Sequence, residues 1–450
     1  MFRKVLIANR GEIAVRIIRA CRELGIQTVA VFSEADRGAL HAKIADEAFC
    51  IGPAATKDSY LNQKAILAVC EVTGAEALHP GFGFLSENAA FARMCQKCGV
   101  TFIGPPPEAM ECMGDKSNAK LTMKNAGVPV IPGSDGAVTS LSQAKGVAQA
   151  IGYPLLIKAA AGGGGRGIRM VLNEGELETQ MTAAANEAQA FFGDSSVYME
   201  KFLVNPRHIE IQVLADSHGN CVYLGERDCS LQRRNQKILE EAPSPSRLMT
   251  PALRKAMGEA AVRAAKASGY VNAGTIEFLV DKDGAFYFME MNTRIQVEHP
   301  ITELVTGVDL VKKQILIAEG EPLGLTQEDV HLHGHAIECR VNAESPEKGF
   351  RPSPGRIESL HMPGGPGIRI DSAVYQGYEI TPHYDSMIAK LIAYAPTRAE
   401  AVKKMRWALA EFIVDGVDTN IDFQLSLLKN PDFEAGEYDI GYIGRLLEKK

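Results

Sequence analysis

Tryptophan is nearly missing from this chain, with one residue in 450. Long hydrophobic runs are missing too. No apolar stretch approaches the roughly 20 residues that cross a bilayer. The opening stretch Val5 to Ala8 is too short for the apolar core of a secretory leader and reads as a strand. A cytoplasmic chain with no membrane association is the expectation. An excess of one charge is also lacking: 48 Lys and Arg face 55 Asp and Glu, a net −7 that is scattered rather than blocked. That excludes a broad basic surface for nucleic acid and leaves room for a local basic pocket around a small anion.

Nine cysteines are present, an odd number in a long chain with no leader, which argues for reduced thiols. Cys95 and Cys98 form a C-x-x-C pair. A zinc site would need two further ligands, and Cys112 is the only thiol nearby. A redox pair would need a thiol at a helix start, whereas Ala89 to Cys98 has the pattern of a helix end closed by Gly99. Packing is the simpler reading.

Length suggests two to four domains at about 100–200 residues each. Lys4 to Ala8 predicts a strand, Ile13 to Leu24 a helix closed by Gly25, and Thr28 to Phe32 a second strand, so the chain opens as an open parallel α/β sheet. Its first turn carries one glycine, Gly11, which does not suit a dinucleotide pyrophosphate. The stiff Gly104-Pro-Pro-Pro107 places a boundary near Gly114. From His331 the pattern changes to short strands, and Ala399 to Phe412 returns to helix.

Four segments carry chemistry. The first is Lys158 followed by Gly162, Gly163, Gly164, Gly165, Arg166 and Gly167. Exposed N–H groups of a glycine run can wrap phosphate oxygens, with the lysine adding charge; a flexible linker is the plainer alternative. The second is a hairpin, Thr275 to Val280 and Ala285 to Asn292. If its loop holds an even number of residues, Glu277 shares a face with Glu290 and Asn292, an oxygen set suited to Mg²⁺. The third is Asn292 to Pro300. In an extended chain Arg294, Gln296 and Glu298 point one way: a guanidinium for a small oxyanion and a carboxylate to take its proton. The fourth, Glu226 to Lys237, contains a basic cluster that suits either solvent or an anion. His331, His333 and His335 alternate as if on one strand face, a weak metal pattern.

In this order the segments resemble the biotin carboxylase family of the ATP-grasp superfamily. Further pieces of the resemblance are Ile7-Ala-Asn-Arg-Gly-Glu-Ile-Ala14, His79-Pro-Gly81, Met199-Glu-Lys201 and Tyr384-Asp-Ser-Met387, and the most specific is Arg294-Ile-Gln-Val-Glu-His299. The resemblance implies three parts: an open parallel-sheet N-terminal domain over 1–114, an ATP-grasp core over 115–330 with a mobile lid near 131–203, and a mixed C-terminal domain over 331–450. It implies ATP, two Mg²⁺ or Mn²⁺ ions and bicarbonate as ligands. Lys116, Lys158 and Gly162 to Gly165 would bind phosphates; Glu200, Lys201 and Leu203 the adenine; His208 and Gln232 the ribose side; Asn235 and Leu279 would also contact nucleotide. Glu277, Glu290 and Asn292 would hold metal. Lys237, Arg294, Gln296 and Val297 would hold bicarbonate, Glu298 would be the base, and Arg340 would stabilise the biotin enolate.

Asn235 departs from the histidine of many relatives, and Ala161 stands at the start of a longer glycine run. No Ala-Met-Lys-Met biotinylation segment occurs; Lys404-Met405 lies in a helical stretch. Biotin is therefore expected on a separate biotin carboxyl carrier protein, with a separate carboxyltransferase and a homodimeric assembly. The final acceptor stays open among acetyl-CoA, propionyl-CoA and pyruvate. Two rival readings are an ATP-grasp ligase with another acceptor and a catalytically silent nucleotide-binding subunit.

Overall fold

The computed structural model describes residues 1–159, 168–192 and 195–448. The N-terminal part is built as its apolar runs dictate. Strands β1 (Lys4–Ile7), β2 (Gln27–Phe32), β3 (Glu47–Cys50), β4 (Ala77–His79) and β5 (Thr101–Phe102) pair in parallel in the order β3-β2-β1-β4-β5. Helix α1 (Gly11–Glu23) follows β1 and buries Ile13, Ala14, Ile17 and Ile18. Parallel strands need such crossovers, which cover the sheet faces.

A small three-stranded antiparallel sheet comes next, order β7-β6-β8, from β6 (Leu155–Ala159), β7 (Ile168–Val171) and β8 (Val197–Lys201). Lys158 thus stands on β6, one residue before the strand ends. The glycines 162 to 165, with Arg166 and Gly167, lie outside the described residues.

The largest sheet has eight strands, all antiparallel. Its order is β13 (Phe286–Asn292), β12 (Asn272–Val280), β9 (Arg207–Ala215), β10 (Cys221–Arg233), β11 (Gln236–Ala242) and β14 (His335–Asn342), then Met387–Ala395 and Ile368–Ser372. The pairing of β11 with β14 carries one sheet from the central segment into the C-terminal one. Its β9 strand is buried along its whole length, so polar residues on it must be partnered within the protein. The helix Arg398–Glu411 packs on the far strands, and Lys404 and Met405 lie inside it.

Candidate active site

The hairpin β12–β13 reaches its acidic face by an unexpected route. The strands are joined by five residues, 281–285, an odd number, because pairing resumes at Val280↔Phe286. With that register Glu277 would fall opposite Met289 and away from Glu290. A β-bulge corrects it: Phe278 pairs with Phe288, Glu277 with Glu290, and Met289 is left without a partner, 36% exposed. One extra residue reverses the alternation of side chains. Phe278 and Phe288 stay in the core, while Glu277 and Glu290 face each other. The even-loop premise is corrected, and the shared face survives because of the bulge.

Glu277 is the hub of that face. Its Oε1 accepts from Asn292 Nδ2 at 2.9 Å, Gln296 Nε2 at 2.9 Å and Lys237 Nζ at 3.0 Å. His208 Nε2 lies 3.1 Å from its Oε2. Burial works against the Glu277 carboxylate, but Lys237 and His208 outweigh it and hold its pKa below the ordinary range. Glu290 differs. No described residue hydrogen-bonds to it, and burial together with the charge of Glu277 pushes its pKa up.

Next to this hairpin the sheet register sets Glu277 beside Glu210 and Glu210 beside Arg227. Arg227 is fully buried; it bonds Glu210, Gln212 Oε1 at 2.8 Å, Thr302 Oγ1 at 2.9 Å and Thr275 Oγ1 at 3.1 Å. Lys237, on β11, reaches three acids at once: Glu210 at 2.7 Å, Glu277 at 3.0 Å and Glu298 at 2.6 Å. Arg340, on β14, donates to Glu240 at 2.6 Å and to Glu298 Oε2 at 3.0 Å. Glu298 is fully buried. Burial disfavours its charge, yet Lys237, Arg340 and Arg227 hold its pKa well below the carboxylate range. The Lys237 ammonium is stabilised by the same acids against burial.

The segment bearing Glu298 is not extended. It turns after β13, and Glu298 is the N-terminal flanking residue of the helix His299–Thr306, with Pro300 in its first turn, a placement proline favours. A common face by strand alternation is therefore corrected. After the turn Arg294 and Gln296 meet directly, while Glu298 is linked to them through Lys237 and Glu277. Arg294 donates to Gln296 Oε1 at 3.1 Å and Asn292 Oδ1 at 2.9 Å, and Gln296 reaches Glu277. Arg294 also donates to Glu87 at 3.1 Å. Glu87, Glu210 and Arg227 carried no assigned role in the sequence reading. Glu87 sat within the loop after His79-Pro-Gly81; the other two give no signal beyond being charged within apolar strands.

On the nucleotide side, Lys158 pairs with Glu200 across β6 and β8. Lys201 ends β8, and Leu203 is buried just beyond it. Gln232 donates to His208 Nδ1 at 2.7 Å, and Leu279 stands opposite His208 in the sheet. Lys116 opens the helix Lys116–Asn125 and is close enough to favour the charged form of Glu290. Asn235 is exposed at the β10–β11 turn with φ +64°, next to Arg234 at +49°. Asparagine tolerates that left-handed conformation better than most residues.

Of the oxygens expected to hold a divalent cation, those of Glu290 have no hydrogen bond among the described residues, while Glu277 Oε1 and Asn292 Oδ1 already accept from protein donors; a cation there would take Glu290 first and share the other two with those donors. His208, Glu210 and Glu277 also converge, with ligand atoms within 4.8 Å of one another, but Glu210 already has Arg227 and Lys237. The histidine alternation is corrected: only His335 lies in a strand, buried against Glu241 at 2.7 Å, while His331 and His333 are exposed outside it. Burial pushes Cys95 up to about 12 and packs it in the core, while Cys98 is exposed just past the helix end, so the pair does not sit at a helix start.

A bulged hairpin of acids, a charged sheet face and a buried carboxylate between two cations match a ligase site of the ATP-grasp kind. The profile for the N-terminal domain of biotin carboxylase matches residues 1–110, that for the ATP-binding domain of the carbamoyl-phosphate synthase L chain residues 115–326, and that for the biotin carboxylase C-terminal domain residues 338–445. Biotin carboxylase 1 of Bacillus subtilis is 57% identical over 444 residues, covering 98% of each chain. The 2-oxoglutarate carboxylase small subunit of Hydrogenobacter thermophilus is 55% identical over 443 residues, covering 98% of this chain and 93% of that one. The biotin carboxylase domain dimer of the 2-oxoglutarate carboxylase from the same organism, solved with MgADP, ADP and bicarbonate, superposes with a TM-score of 0.88 at 54% identity, over 100% of this chain and 98% of that one. The chain belongs to the biotin carboxylase family.

Proposed function

We propose that this chain uses ATP and bicarbonate to carboxylate biotin presented on a separate carrier protein. The observation that supports it most directly is Glu298 held between Lys237 and Arg340 beside the Glu277–Glu290 hairpin. Arg294, Gln296, Lys237 and the Val297 backbone hold bicarbonate. Glu298 takes its proton as a bicarbonate oxygen bonds to the γ-phosphorus and ADP leaves. An acid held so low is ionised but a weak base; bicarbonate that draws Lys237 toward itself raises that basicity. Glu277, Glu290 and Asn292 hold divalent metal, which neutralises charge on the phosphates when bound. Lys116, Lys158 and the glycines 162 to 165 bind phosphate; Glu200, Lys201, Leu203, His208, Gln232, Asn235 and Leu279 surround the nucleoside. The carboxyphosphate so formed releases CO₂ and phosphate, the phosphate removes the biotin N1′ proton, and Arg340 stabilises the enolate that attacks CO₂.

This reading divides the chain at 114 and 330 and makes 131–203 the lid. It gives the chain a carrier protein, a carboxyltransferase and a second copy of itself as partners. No helix among the described residues is long and apolar enough to cross a membrane.

ADP release in bicarbonate, with and without free biotin, tests the function against Glu298→Ala. Biotin should stimulate the natural chain by at least about a hundredfold over the variant, the lower end of the range for general-base catalysis. No stimulation favours another acceptor, and a rate equal to that of the variant favours a silent subunit.

A further inference from the structure

Lys390 is fully buried on the strand Met387–Ala395, between Arg340 on one neighbouring strand and Asp371 on the other. A buried ammonium carries a heavy desolvation cost, so packing alone does not explain it. Three groups surround its Nζ. Glu12, in the first turn of α1, lies at 3.0 Å; Asp371 at 3.8 Å; and the carbonyl oxygen of Val297 accepts a hydrogen bond at 2.8 Å. Burial opposes its charge, but Glu12, Glu338 and Asp371 outweigh that, and the ammonium stays protonated.

The Val297 carbonyl belongs to the peptide unit that carries the Glu298 nitrogen. Holding that oxygen fixes the peptide plane, and with Glu298 held at φ −81° at the head of its helix this sets the direction in which the Glu298 side chain leaves the backbone. The preceding residue, Gln296, is fixed through its side chain to Glu277. From the turn onward, Lys390 supplies the corresponding restraint on Val297. One ammonium joins the start of α1, the base-bearing turn and the C-terminal strands.

We propose that Lys390 is a positioning residue for the reaction, orienting Glu298 through the Val297 carbonyl and thereby setting the use of bicarbonate. The claim rests on reading Glu298 as the base. Displacing a reacting group by about 1 Å can cost about a hundredfold in rate.

The test is the double variant Lys390→Met with Glu12→Gln, which removes both charges of the pair; Asp371 keeps Arg369, bonded at 2.9 and 2.7 Å. kcat/KM for bicarbonate should fall by about 10- to 100-fold, while the ADP dissociation constant without bicarbonate stays within about twofold. A general structural defect would weaken both. A wild-type kcat/KM for bicarbonate in the folded double variant overturns the proposal. Should that variant not fold, Lys390→Arg takes its place, because the wider head keeps the charge and displaces the carbonyl; the same two outcomes decide. Glu298→Gln is measured beside it. If that variant keeps full turnover, the base reading has failed; if it is inactive while the Lys390 variants retain wild-type bicarbonate kcat/KM, only the positioning role has.

Discussion

Two groups of acids lie side by side on the same sheet, and the protein treats them in opposite ways. Glu210 and Glu298 are fully buried and met by fixed cations: Arg227 and Lys237 for the first, Lys237 and Arg340 for the second. Glu290, at the hairpin edge, is half-buried with no hydrogen-bond partner among the described residues, and its pKa rises. The inner group is complete without ligand, so its geometry is set before substrate arrives. The outer one has no such cation among the described residues, and in the proposed reading a metal ion supplies it. A reaction that deprotonates one small anion beside a metal-bound phosphate requires both kinds.

The largest way to break this contrast is at Lys237. Lys237→Met leaves three acids short of a shared ammonium. Breaking a buried pair costs about 3–5 kcal/mol, so denaturant unfolding should show a loss of that order, and biotin-dependent turnover should drop by at least about a hundredfold. A stability loss below about 1 kcal/mol, the level of an exposed pair, would mean that the inner group is not closed.

Glu290→Gln sharpens the other side. It removes a repulsive charge, so the melting temperature should hold or rise. The Mg²⁺ concentration for half-maximal ATP cleavage should rise by at least about tenfold, since altering even the groups that merely orient metal ligands costs about 10–100-fold in affinity. An unchanged Mg²⁺ requirement would detach Glu290 from metal binding.

Much of this arrangement was legible in the residues. Apolar periodicity locates β1, α1 and β2 to within a few positions, because burial of one face selects the period. The hairpin was legible from Asp281-Lys-Asp-Gly284 between two apolar runs. Its bulge was not: nothing local announces that Met289 is the extra residue, since the bulge is chosen by Phe278 and Phe288 seeking the core together. The Arg294 to Glu298 face was found for the wrong reason, since a turn and not an extended strand gathers it. Charges that serve across the sheet, Arg227 and Lys390, are illegible because their partners lie 15 or more positions away in sequence.

The finest distinction lies within β11, where neighbouring acids point to opposite faces. Burial pushes Glu240 up to about 7, against the pull of Arg340 and with the charge of Glu298 adding to it. Burial also acts on Glu241, but His335 and Arg398 bring it down to about 2. Both start near about 4.3 in the unfolded chain, so their contributions to stability run in opposite directions with pH. Folding favours the protonated form of Glu240; that contribution is complete below about 4.3 and is lost as pH climbs through 7. Folding favours the ionised form of Glu241; its contribution is complete above about 4.3 and is lost as pH falls toward 2. Melting temperatures of Glu240→Gln should therefore gain on the natural chain between about pH 5 and 8. Those of Glu241→Gln should lie below it by a constant margin over that range and close the gap only under acid. Parallel profiles for the two variants would show that the two faces of β11 do not differ in charge balance.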